Sequence, residues 1–540
     1  MASVFLGDLD DFIAPSQACV NPLFAAPASD KPAAIAGNGA DAMELVLEDE
    51  FETLAPQVLP PQQQEPDLIK TSASKTATVS LNDCLACSGC VTSAETVLIS
   101  QQSSGRLLSA LRDKSFAVSV ASLSPQSRAS IADYFGLSPA QAQARIATFL
   151  AQLGVTHTID AACAGDLCLV AARDEFIARA RSPLPPVWTA PAPSVAVSRT
   201  TQRDAATGAE SFNAPQLRGP LPLLVSACPG FVCYVEKTAP EALAYVSAVK
   251  SPQAAAGALV KGAAARAWGV APAAVLHLSV QPCFDRKLEA SRLDFVDTVA
   301  AEATEAAEAA AAPTADVDIV LSTSELLEMA AQYFRSLAPA PPAPELAPGI
   351  PLPPPTPEGA ALASADAAGG ASGGYAEHVF RHAAKVLHGV DIPQGAPLQY
   401  RQGRNVDMRE LVLEVGGEVV MRFALAYGFR NIQSILTQLR RRRCAYQYVE
   451  VMACPGGCVN GGGQVRPAQE TPQAMRERTV RVGGIMQAVP SLAQPDDSPL
   501  VQWVLGPGGA MPLDSAASAL HTTFHAVPKL EATNSLLARW

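Results

Sequence analysis

From residue 115 onward, short apolar runs alternate with segments of helical periodicity. The runs predict five buried strands, at 116–123, 155–162, 221–227, 275–280 and 317–321. Segments 125–135 and 139–153 have the pattern of helices, and the second is bounded by Ser138 as an N-cap and Gly154 as a stop. Strands that alternate with helices indicate a parallel sheet covered on both faces, so the fold class is α/β.

A second ordered region is predicted after residue 373. It contains a helix at 375–387, strands at 411–414 and 419–427 joined by a turn at Gly416-Gly417, a helix at 431–441 and a strand at 446–452. The two ordered regions are separated by 336–372, where Pro, Ala and Gly dominate, which predicts an unpacked and disordered insert. This pattern predicts two lobes with parallel and mixed sheets.

Composition divides the rest of the chain. We predict an N-terminal segment, a flexible linker rich in Ala, Pro and Gln, a cysteine-rich segment, a first lobe, the Pro/Ala/Gly-rich insert, a second lobe, and a C-terminal region with its tail. Their boundaries are 1–26, 27–75, 76–110, 111–335, 336–372, 373–475 and 476–540.

Charge and hydropathy exclude several classes of partner. The net charge of −12 argues against nucleic-acid or anionic-membrane binding, and the basic run at 440–443 is interpreted as a solvated helix end. No run of eighteen apolar residues occurs, so no membrane span is expected. Asp8, Asp10 and Asp11 make the N-terminus acidic, unlike secretory and organellar signals, so we expect an intracellular protein.

Three cysteines in the segment 76–110 have the spacing of a metal-cluster run. Cys84, Cys87 and Cys90 form C-x2-C-x2-C, as in bacterial-type ferredoxins. The ferredoxin run would place a further cysteine at position 94, where this chain has Ala94, so a fourth ligand must come from elsewhere. Cys19 is the nearest candidate. Zinc remains an alternative, because three close cysteines and a remote one also suit a tetrahedral site.

Four more cysteines follow predicted strands. Cys228 and Cys283 come directly after the third and fourth strands, and Cys454 and Cys458 flank a Pro-Gly-Gly turn after the strand at 446–452. Ligands of parallel sheets lie at the carboxyl ends of strands. Four thiolates from separated loops would suit a buried cubane cluster between two lobes, with structural zinc as the alternative.

The motifs around these cysteines resemble those of the iron-only hydrogenase family. They are CPGF at 228–231, PCFDRKLE at 282–289 and ACPGGCVNGGGQ at 453–464, in the family's order. The pieces DYFGL at 133–137, VDIVLSTSEL at 317–326 and YGFRNIQ at 427–433 resemble the family as well. The resemblance implies a two-lobed α/β domain with a cluster buried between the lobes.

Two positions separate the chain from true hydrogenases. Ala227 stands where those enzymes have a cysteine that donates protons to a di-iron centre, and Gln281 stands where they usually have methionine. Because alanine cannot transfer a proton, we expect no hydrogenase activity and no enzyme. Cys233 and the segment GDLDDFIAPSQAC at 7–19 resemble the non-hydrogenase branch, the cytosolic iron–sulfur protein assembly factors, also called nuclear prelamin A recognition factor-like proteins.

That resemblance implies two 4Fe-4S clusters. Their ligands would be Cys19, Cys84, Cys87 and Cys90 at the N-terminal site, and Cys228, Cys283, Cys454 and Cys458 at the interior site.

It also implies a location and partners. The protein would work in the cytosol, with the nucleus left open, between the scaffold that builds clusters and the late targeting complex that serves client apoproteins. The C-terminal Trp540 is a candidate docking residue for that complex. Two alternatives stay open, a hydrogenase-type oxidoreductase and a prelamin-binding nuclear partner protein.

Overall fold

A computed structural model describes most of the two predicted lobes. The described residues are 2–5, 76–79, 99, 101–181, 202–203, 210–211, 219–297, 314–335, 372–393, 396–467, 470–489, 494–506, 516 and 519–527. The predicted linker, the C-x2-C-x2-C run, Cys19, most of the predicted insert and Trp540 therefore lie outside the described residues.

The strands are numbered in chain order. They are β1 Ala2–Phe5, β2 Thr76–Val79, β3 Val118–Leu123, β4 His157–Asp160, β5 Gln202–Arg203, β6 Glu210–Ser211, β7 Leu223–Val225, β8 Val275–Gln281, β9 Val296–Asp297, β10 Thr314–Ala315, β11 Ile319–Ser322, β12 Tyr400–Gln402, β13 Met408–Val415, β14 Glu418–Tyr427 and β15 Tyr448–Met452.

The α-helices are numbered in the same way. They are α1 Ser104–Arg112, α2 Pro125–Phe135, α3 Pro139–Gln152, α4 Ala162–Arg181, α5 Pro229–Thr238, α6 Pro252–Leu259, α7 Ala265–Trp268, α8 Asp285–Ala290, α9 Thr323–Arg335, α10 Tyr375–His388, α11 Phe429–Arg440, α12 Pro472–Gln487 and α13 Pro499–Leu505.

The first sheet has four strands in the order β11-β8-β3-β4, and every pair in it is parallel. All seven residues of β8 are buried, as expected of a strand with helices on both faces. On one face, α2, α3 and α9 enclose a core of Leu, Ile and Val side chains. The parallel sheet predicted from the alternation of strands and helices is confirmed.

The second sheet is mixed, in the order β12-β13-β14-β15-β7. Strands β12, β13 and β14 are antiparallel neighbours, whereas β14, β15 and β7 run parallel. The hairpin between β13 and β14 turns at Gly416 and Gly417, which both have positive φ, as a tight hairpin turn requires. The α/β class with parallel and mixed sheets is thus confirmed.

One strand lies in a different sheet from the one that its position in the chain suggested. The third predicted strand, observed as β7, falls within 111–335, yet it pairs with β15 and completes the second sheet. Its three residues are all buried, so burial alone fitted either sheet. Pairing between segments more than two hundred residues apart leaves no local pattern in the sequence, because it is decided by packing in space.

Helix α4 is the largest element that the sequence analysis did not predict. It has 20 residues and packs against α6, α10 and α13, and thereby joins the layers of the two sheets. Fourteen of its residues are buried, so its sequence carries no amphipathic stripe. A helix that is buried on nearly every side is difficult to detect from periodicity.

The predicted helices with capping signals are confirmed. Ser124 and Ser138 accept hydrogen bonds from backbone N–H groups in the first turns of α2 and α3, and each helix has Pro at its start. Gly136 ends α2 in the left-handed conformation. Among the described residues, no helix is long and apolar enough to cross a membrane.

Candidate functional site

Four cysteines surround one cavity at the carboxyl ends of strands from both sheets. Cys283 follows β8 of the first sheet, whereas Cys228 follows β7 and Cys454 follows β15 of the second. Cys458 lies four residues further on. Together with Ala227, Gln281 and Arg286, these residues line a cavity with an empty volume of about 690 Å³, part of it open to solvent. The predicted convergence of the four thiols is therefore found in the structure.

The thiols differ in depth. Cys228, Cys283 and Cys454 are buried, with 6%, 9% and 8% of their surface exposed, whereas Cys458 is only half-buried. Pro455, between the last two thiols, is exposed. Among the four thiols, Cys458 is thus the least buried, and it lies three residues after the exposed Pro455.

Two of the thiols lie at helix N-termini. Cys228 is the N-cap of α5, and the nearby backbone N–H groups of Phe231 and Ala453 act against the burial that raises its pKa. Cys283 precedes Phe284, the N-cap of α8, and the backbone of Asp285 acts on its pKa in the same direction. Unpaired N–H groups and the helix dipole favour negative charge at these positions. Thiolates, or an anionic cluster bound by them, would be stabilised there.

The loop with Cys454 and Cys458 is held in place by its backbone. The Gly456 N–H donates to Oδ1 of Asp407 at 2.7 Å, and the Cys458 N–H donates to Oγ of Ser372 at 2.9 Å. Gly456 and Gly457 have positive φ, so glycine is needed for the shape of this turn. Ser372 is the last residue of the predicted insert 336–372, and its burial beside the thiols corrects the prediction that this residue is unpacked.

The glycines after Cys458 bring the two halves of the site together. A Cβ atom on Gly461 would lie 2.2 Å from the carbonyl oxygen of Pro282, and one on Gly463 would lie 2.8 Å from Cβ of Ser322. The Gly463 N–H donates to the same Pro282 oxygen at 2.9 Å. The backbone approaches closely at these two glycines, and this contact joins the Cys458 loop to the Cys283 loop.

A buried positive charge lies next to the thiols. Arg286 lines the cavity and contacts Glu289 through Nη1 and Oε2 at 2.7 Å. The Oε2 atom of Glu289 also accepts hydrogen bonds from Ser251 and Gln253, at 3.0 Å each. These contacts fix the guanidinium at the cavity wall. The buried carboxylate of Asp285 also lies near the sulfurs. Its negative charge disfavours a thiolate at Cys283, whereas the positive charge of Arg286 favours one.

Burial keeps the free thiols protonated. Desolvation raises the pKa of the Cys228 thiol to about 12, and it raises the pKa of Cys283 and Cys454 well above the ordinary value, with Asp285 and the neighbouring sulfurs adding to the effect. A metal or cluster binds thiolates, so its uptake must displace these protons. Loading of the site is therefore coupled to proton release.

The arrangement fits a cluster better than a single ion. Within the described ranges, no group of three or more His, Cys, Asp or Glu side chains converges closely enough to hold one metal ion. The four cysteines instead line one cavity that an inorganic core could occupy, with one thiolate available for each corner of a cubane. Thiolate-only coordination, burial and N–H donors to sulfur are the conditions under which proteins hold such cores.

Two cavity positions carry no proton donor or sulfur ligand. Ala227 contributes a methyl group, and the side-chain amide of Gln281 donates to Oγ of Ser279 at 2.8 Å, which holds it against β8. Gln253 was not predicted from the sequence, although its amide also borders the cavity. The only signal for Gln253 in the sequence is its place in a Ser-Pro-Gln helix start, and many helices begin in this way without lining a site.

The other candidate residues lie outside the cavity. Cys168 is fully buried in α4, whereas Cys163, Cys233 and Cys444 are half-buried. His378 is buried on α10. The residues Cys19, Cys84, Cys87 and Cys90 lie outside the described part of the chain, so their role as ligands remains a prediction.

Comparison with known proteins identifies similar sequences. Residues 117–462 match the family model of the iron only hydrogenase large subunit, C-terminal domain. The chain is 37% identical over 557 residues to "Cytosolic iron-sulfur assembly component 3" of Rattus norvegicus, with both chains fully covered. It is 38% identical to "Protein NAR1" of Arabidopsis thaliana, covering 99% of this chain and 98% of that protein.

Solved structures show a similar fold. A variant of the apo FeFe-hydrogenase HydA1 from Chlamydomonas reinhardtii aligns with a TM-score of 0.55 over 78% of this chain and 98% of the hydrogenase. A second hydrogenase structure, of HydA(deltaEFG), aligns with a TM-score of 0.57. Both are 23% identical to this chain, so they support the fold and carry no argument about activity.

Proposed function

The chain belongs to the cytosolic iron–sulfur assembly group within the iron-only hydrogenase family, and from this membership and the four-thiol cavity we propose that it is an iron–sulfur cluster-binding component of the cytosolic assembly machinery. The observation that carries the proposal is the convergence of Cys228, Cys283, Cys454 and Cys458 on one buried cavity between two sheets. Their spacing around a void suits a cubane core.

The interior site holds one 4Fe-4S cluster. The four cysteines would bind it, the nearby N–H groups of Phe231, Ala453 and Asp285 would favour negative charge on the sulfurs, and Arg286 would offset negative charge at the cavity wall. When bound, the cluster supplies one-electron chemistry and a covalent link between the loops of both sheets. Burial of Cys228, Cys283 and Cys454 would keep water away from three of the four ligands.

A second 4Fe-4S cluster is bound near the N-terminus by Cys84, Cys87 and Cys90, with Cys19 as the fourth ligand. The ferredoxin-like spacing of the first three supports this assignment. A three-plus-one site whose fourth ligand is remote in sequence suits a labile cluster, whereas the interior site suits a retained one. The N-terminal cluster should therefore be lost first when a chelator is added.

The chain is not a hydrogenase. The supporting observation is Ala227, which lines the cavity at the position from which a proton donor would have to act. The relatives are named as assembly components, which agrees with a protein that handles clusters without turning over a small substrate. Infrared bands from carbonyl or cyanide ligands would support the rival hydrogenase interpretation.

The partners are the cytosolic cluster scaffold, the late targeting complex and client apoproteins, in the cytosol and in part in the nucleus. Trp540, the last residue, is proposed to contribute to docking on the targeting complex. Deletion of Trp540 should weaken co-purification with that complex. If client enzymes kept their clusters after depletion of the protein, the prelamin-binding alternative would be favoured.

The first test is a metal and sulfide analysis of the full chain purified without oxygen. We expect about eight irons and about eight acid-labile sulfides per chain, and two interacting paramagnetic centres in the EPR spectrum after reduction. Cys19→Ala should lower each number by about four and leave the interior signal. Zinc without sulfide would overturn the proposal.

A further inference from the structure

Asn460 closes the loop that carries Cys454 and Cys458. This buried residue lies two positions after Cys458, and its Nδ2 donates a hydrogen bond to the carbonyl oxygen of Pro455 at 3.0 Å. Its backbone N–H donates to the carbonyl oxygen of Gly457, also at 3.0 Å. Pro455 directly follows Cys454, and Gly457 directly precedes Cys458. The two hydrogen bonds of Asn460 therefore fix the backbone next to both thiols.

Two arginines meet at the side-chain oxygen of Asn460. Nη2 of Arg478 donates to Oδ1 at 3.2 Å, and Nη2 of Arg466 donates to the same atom at 3.4 Å. Arg466 also donates to the backbone oxygens of Asn460 and Gly461, at 2.9 Å and 3.1 Å. Two guanidinium groups therefore lie directly behind the loop of the two thiols.

These contacts allow only one orientation of the Asn460 amide. If its oxygen and nitrogen exchanged places, the NH2 group would face two arginines, which can only donate, and the oxygen would face the carbonyl of Pro455, which can only accept. Nδ2 also donates to Sδ of Met475 at 3.8 Å. The arginines thereby keep the amide nitrogen on Pro455, so the geometry of the cysteine loop depends on them.

Packing of α12 has its own apolar basis. Val482 and Met486 of this helix lie in one cluster with Ala129 and Val459, and Thr471 caps the helix at its start. The helix therefore has packing contacts and a cap that do not involve the buried arginine in its second turn.

Burial of Arg478 carries a cost that helix packing does not explain. Only 6% of the residue is exposed, and its guanidinium contacts Glu470 at 2.7 Å. Its Nη1 is buried and has no hydrogen-bond partner in the described part of the chain, which is unfavourable for a charged donor. A positive charge at this depth favours negative charge on the other side of the loop, where the thiols lie.

Arg466 acts on the thiols in the same sense. Burial raises the pKa of the Cys454 thiol well above its ordinary value, and the positive charge of Arg466 acts against this rise. Both arginines that hold Asn460 thus place positive charge near the cysteine loop.

From these contacts we infer that Asn460 is a positioning residue of the interior site, which holds Cys454 and Cys458 at a fixed separation and keeps Arg466 and Arg478 behind them. The inference rests on the proposed interior cluster. Because reduction adds one negative charge to a bound cluster, the two arginines favour the reduced state. Asn460 acts through the loop and through the arginines.

The test uses the full chain with Cys84→Ala and Cys87→Ala, so that only the interior cluster is measured. Asn460→Asp keeps an oxygen for the arginines but replaces the donor to Pro455 with a second oxygen. Because the loop is then no longer closed, EDTA should remove the cluster about 10-fold faster than from the parent chain. The decay of iron–sulfur absorbance after addition of EDTA gives the rate.

Substitutions of Arg478 separate charge from loop geometry. Arg478→Gln removes one positive charge, so the midpoint potential of the interior cluster should become more negative, as measured by redox titration with EPR detection. Arg478→Lys keeps the charge and should restore most of the potential. The matched control is Arg476→Gln, since Arg476 is an exposed residue of the same helix. This control should leave the rate of cluster loss and the potential unchanged.

Two results would overturn the inference. One is a rate of cluster loss in Asn460→Asp that equals the rate in the parent chain. The other is a potential in Arg478→Gln that equals the potential in Arg476→Gln, because the buried arginine would then be a structural contact only. Urea unfolding shows whether each variant is folded, and if Asn460→Asp is not, the potentials of the Arg478 variants decide. Absence of iron from the interior site of the parent chain would instead contradict the proposed function itself.

Discussion

The two sheets contribute unequally to the same site. The first sheet supplies one thiol, Cys283, on a loop that is buried and surrounded by charged contacts, whereas the second supplies Cys228, Cys454 and Cys458. Two of those three lie on a glycine-rich turn that reaches the surface. The first sheet therefore closes the site, and the second sheet both holds most of it and exposes it.

This difference follows from sheet type. All strands of the first sheet are parallel and covered by helices, so their carboxyl ends open only into the interior. The second sheet has a hairpin of β13 and β14, exposed at its turn end, beside its parallel part, and Asp407 in the loop before β13 bonds the Gly456 N–H of the Pro455 turn. A mixed sheet thus combines a buried ligand site with a surface route to it.

The largest effect is expected from the thiol that connects the two sheets. Cys283→Ala removes the first sheet's only ligand, so iron and sulfide should fall by about four each. Because the cluster joins the sheets, thermal unfolding should change from one transition to two. Cys168→Ala, a buried thiol of α4 away from the cavity, is the matched control and should keep the metal content. Full iron in Cys283→Ala would show that the second sheet holds the cluster alone.

The next effect tests how closely the two sheets approach each other. Gly461→Ala places a Cβ 2.2 Å from the Pro282 oxygen, so we expect at least about 3 kcal/mol of lost stability together with loss of the interior cluster. Gly483→Ala in α12 meets no atom within 4 Å and should stabilise the helix by up to about 1 kcal/mol. Urea unfolding measures the stability of each variant, and iron analysis measures its cluster content. Equal behaviour of the two variants would contradict a tight contact between the sheets.

Each sheet has a buried histidine nearby, and acid should separate their roles. Burial lowers the pKa of His277 in β8 to about 4 and of His378 on α10 to about 3. A histidine that is neutral when folded and protonated when unfolded stabilises the fold above pH 6.5, and this stability is lost as the pH falls through the folded pKa.

When the pH is lowered from 7.5 to 5.5, the free energy of unfolding of His378→Phe should therefore fall by about 1.4 kcal/mol less than that of the wild type. His277→Phe should show the same reduced acid sensitivity. The same substitution should also lower the free energy of unfolding by about 2 kcal/mol at pH 7.5, because His277 makes hydrogen bonds with the Asp316 carbonyl oxygen and with Oγ of Ser122, at 2.9 Å each. Urea unfolding at the two pH values checks both variants, and unchanged acid sensitivity in both would contradict the assignment.

The smallest effect concerns charge at the cavity wall on the side of the first sheet. Arg286→Gln removes a buried positive charge near the sulfurs, which should disfavour the reduced cluster and lower its midpoint potential by about 60 mV. Arg286→Lys keeps the charge and should restore most of the shift. Redox titration followed by EPR gives both values. A potential that does not respond to Arg286→Gln would show that the Glu289 pairing already cancels the charge.

The sequence by itself determined the chemistry and most local elements. Helical periodicity predicted α2 and α3, with Ser138 as the N-cap of α3, apolar runs predicted the strands of the first sheet, and the position of four cysteines after predicted strands indicated that they share a site. These signals are local, since a cap, a turn glycine or a thiol next to a strand end acts within a few residues. The family resemblance followed from the same motifs.

Only the tertiary structure decided how these parts meet. It placed β7 in the second sheet, buried α4 between the layers, and brought Ser372 from the predicted insert and Gln253 from α6 to the site. It also showed that Pro455, which lies between two of the thiols, is exposed. Contacts between residues distant in the chain depend on packing and loop closure over long separations, so no local pattern of the sequence encodes them.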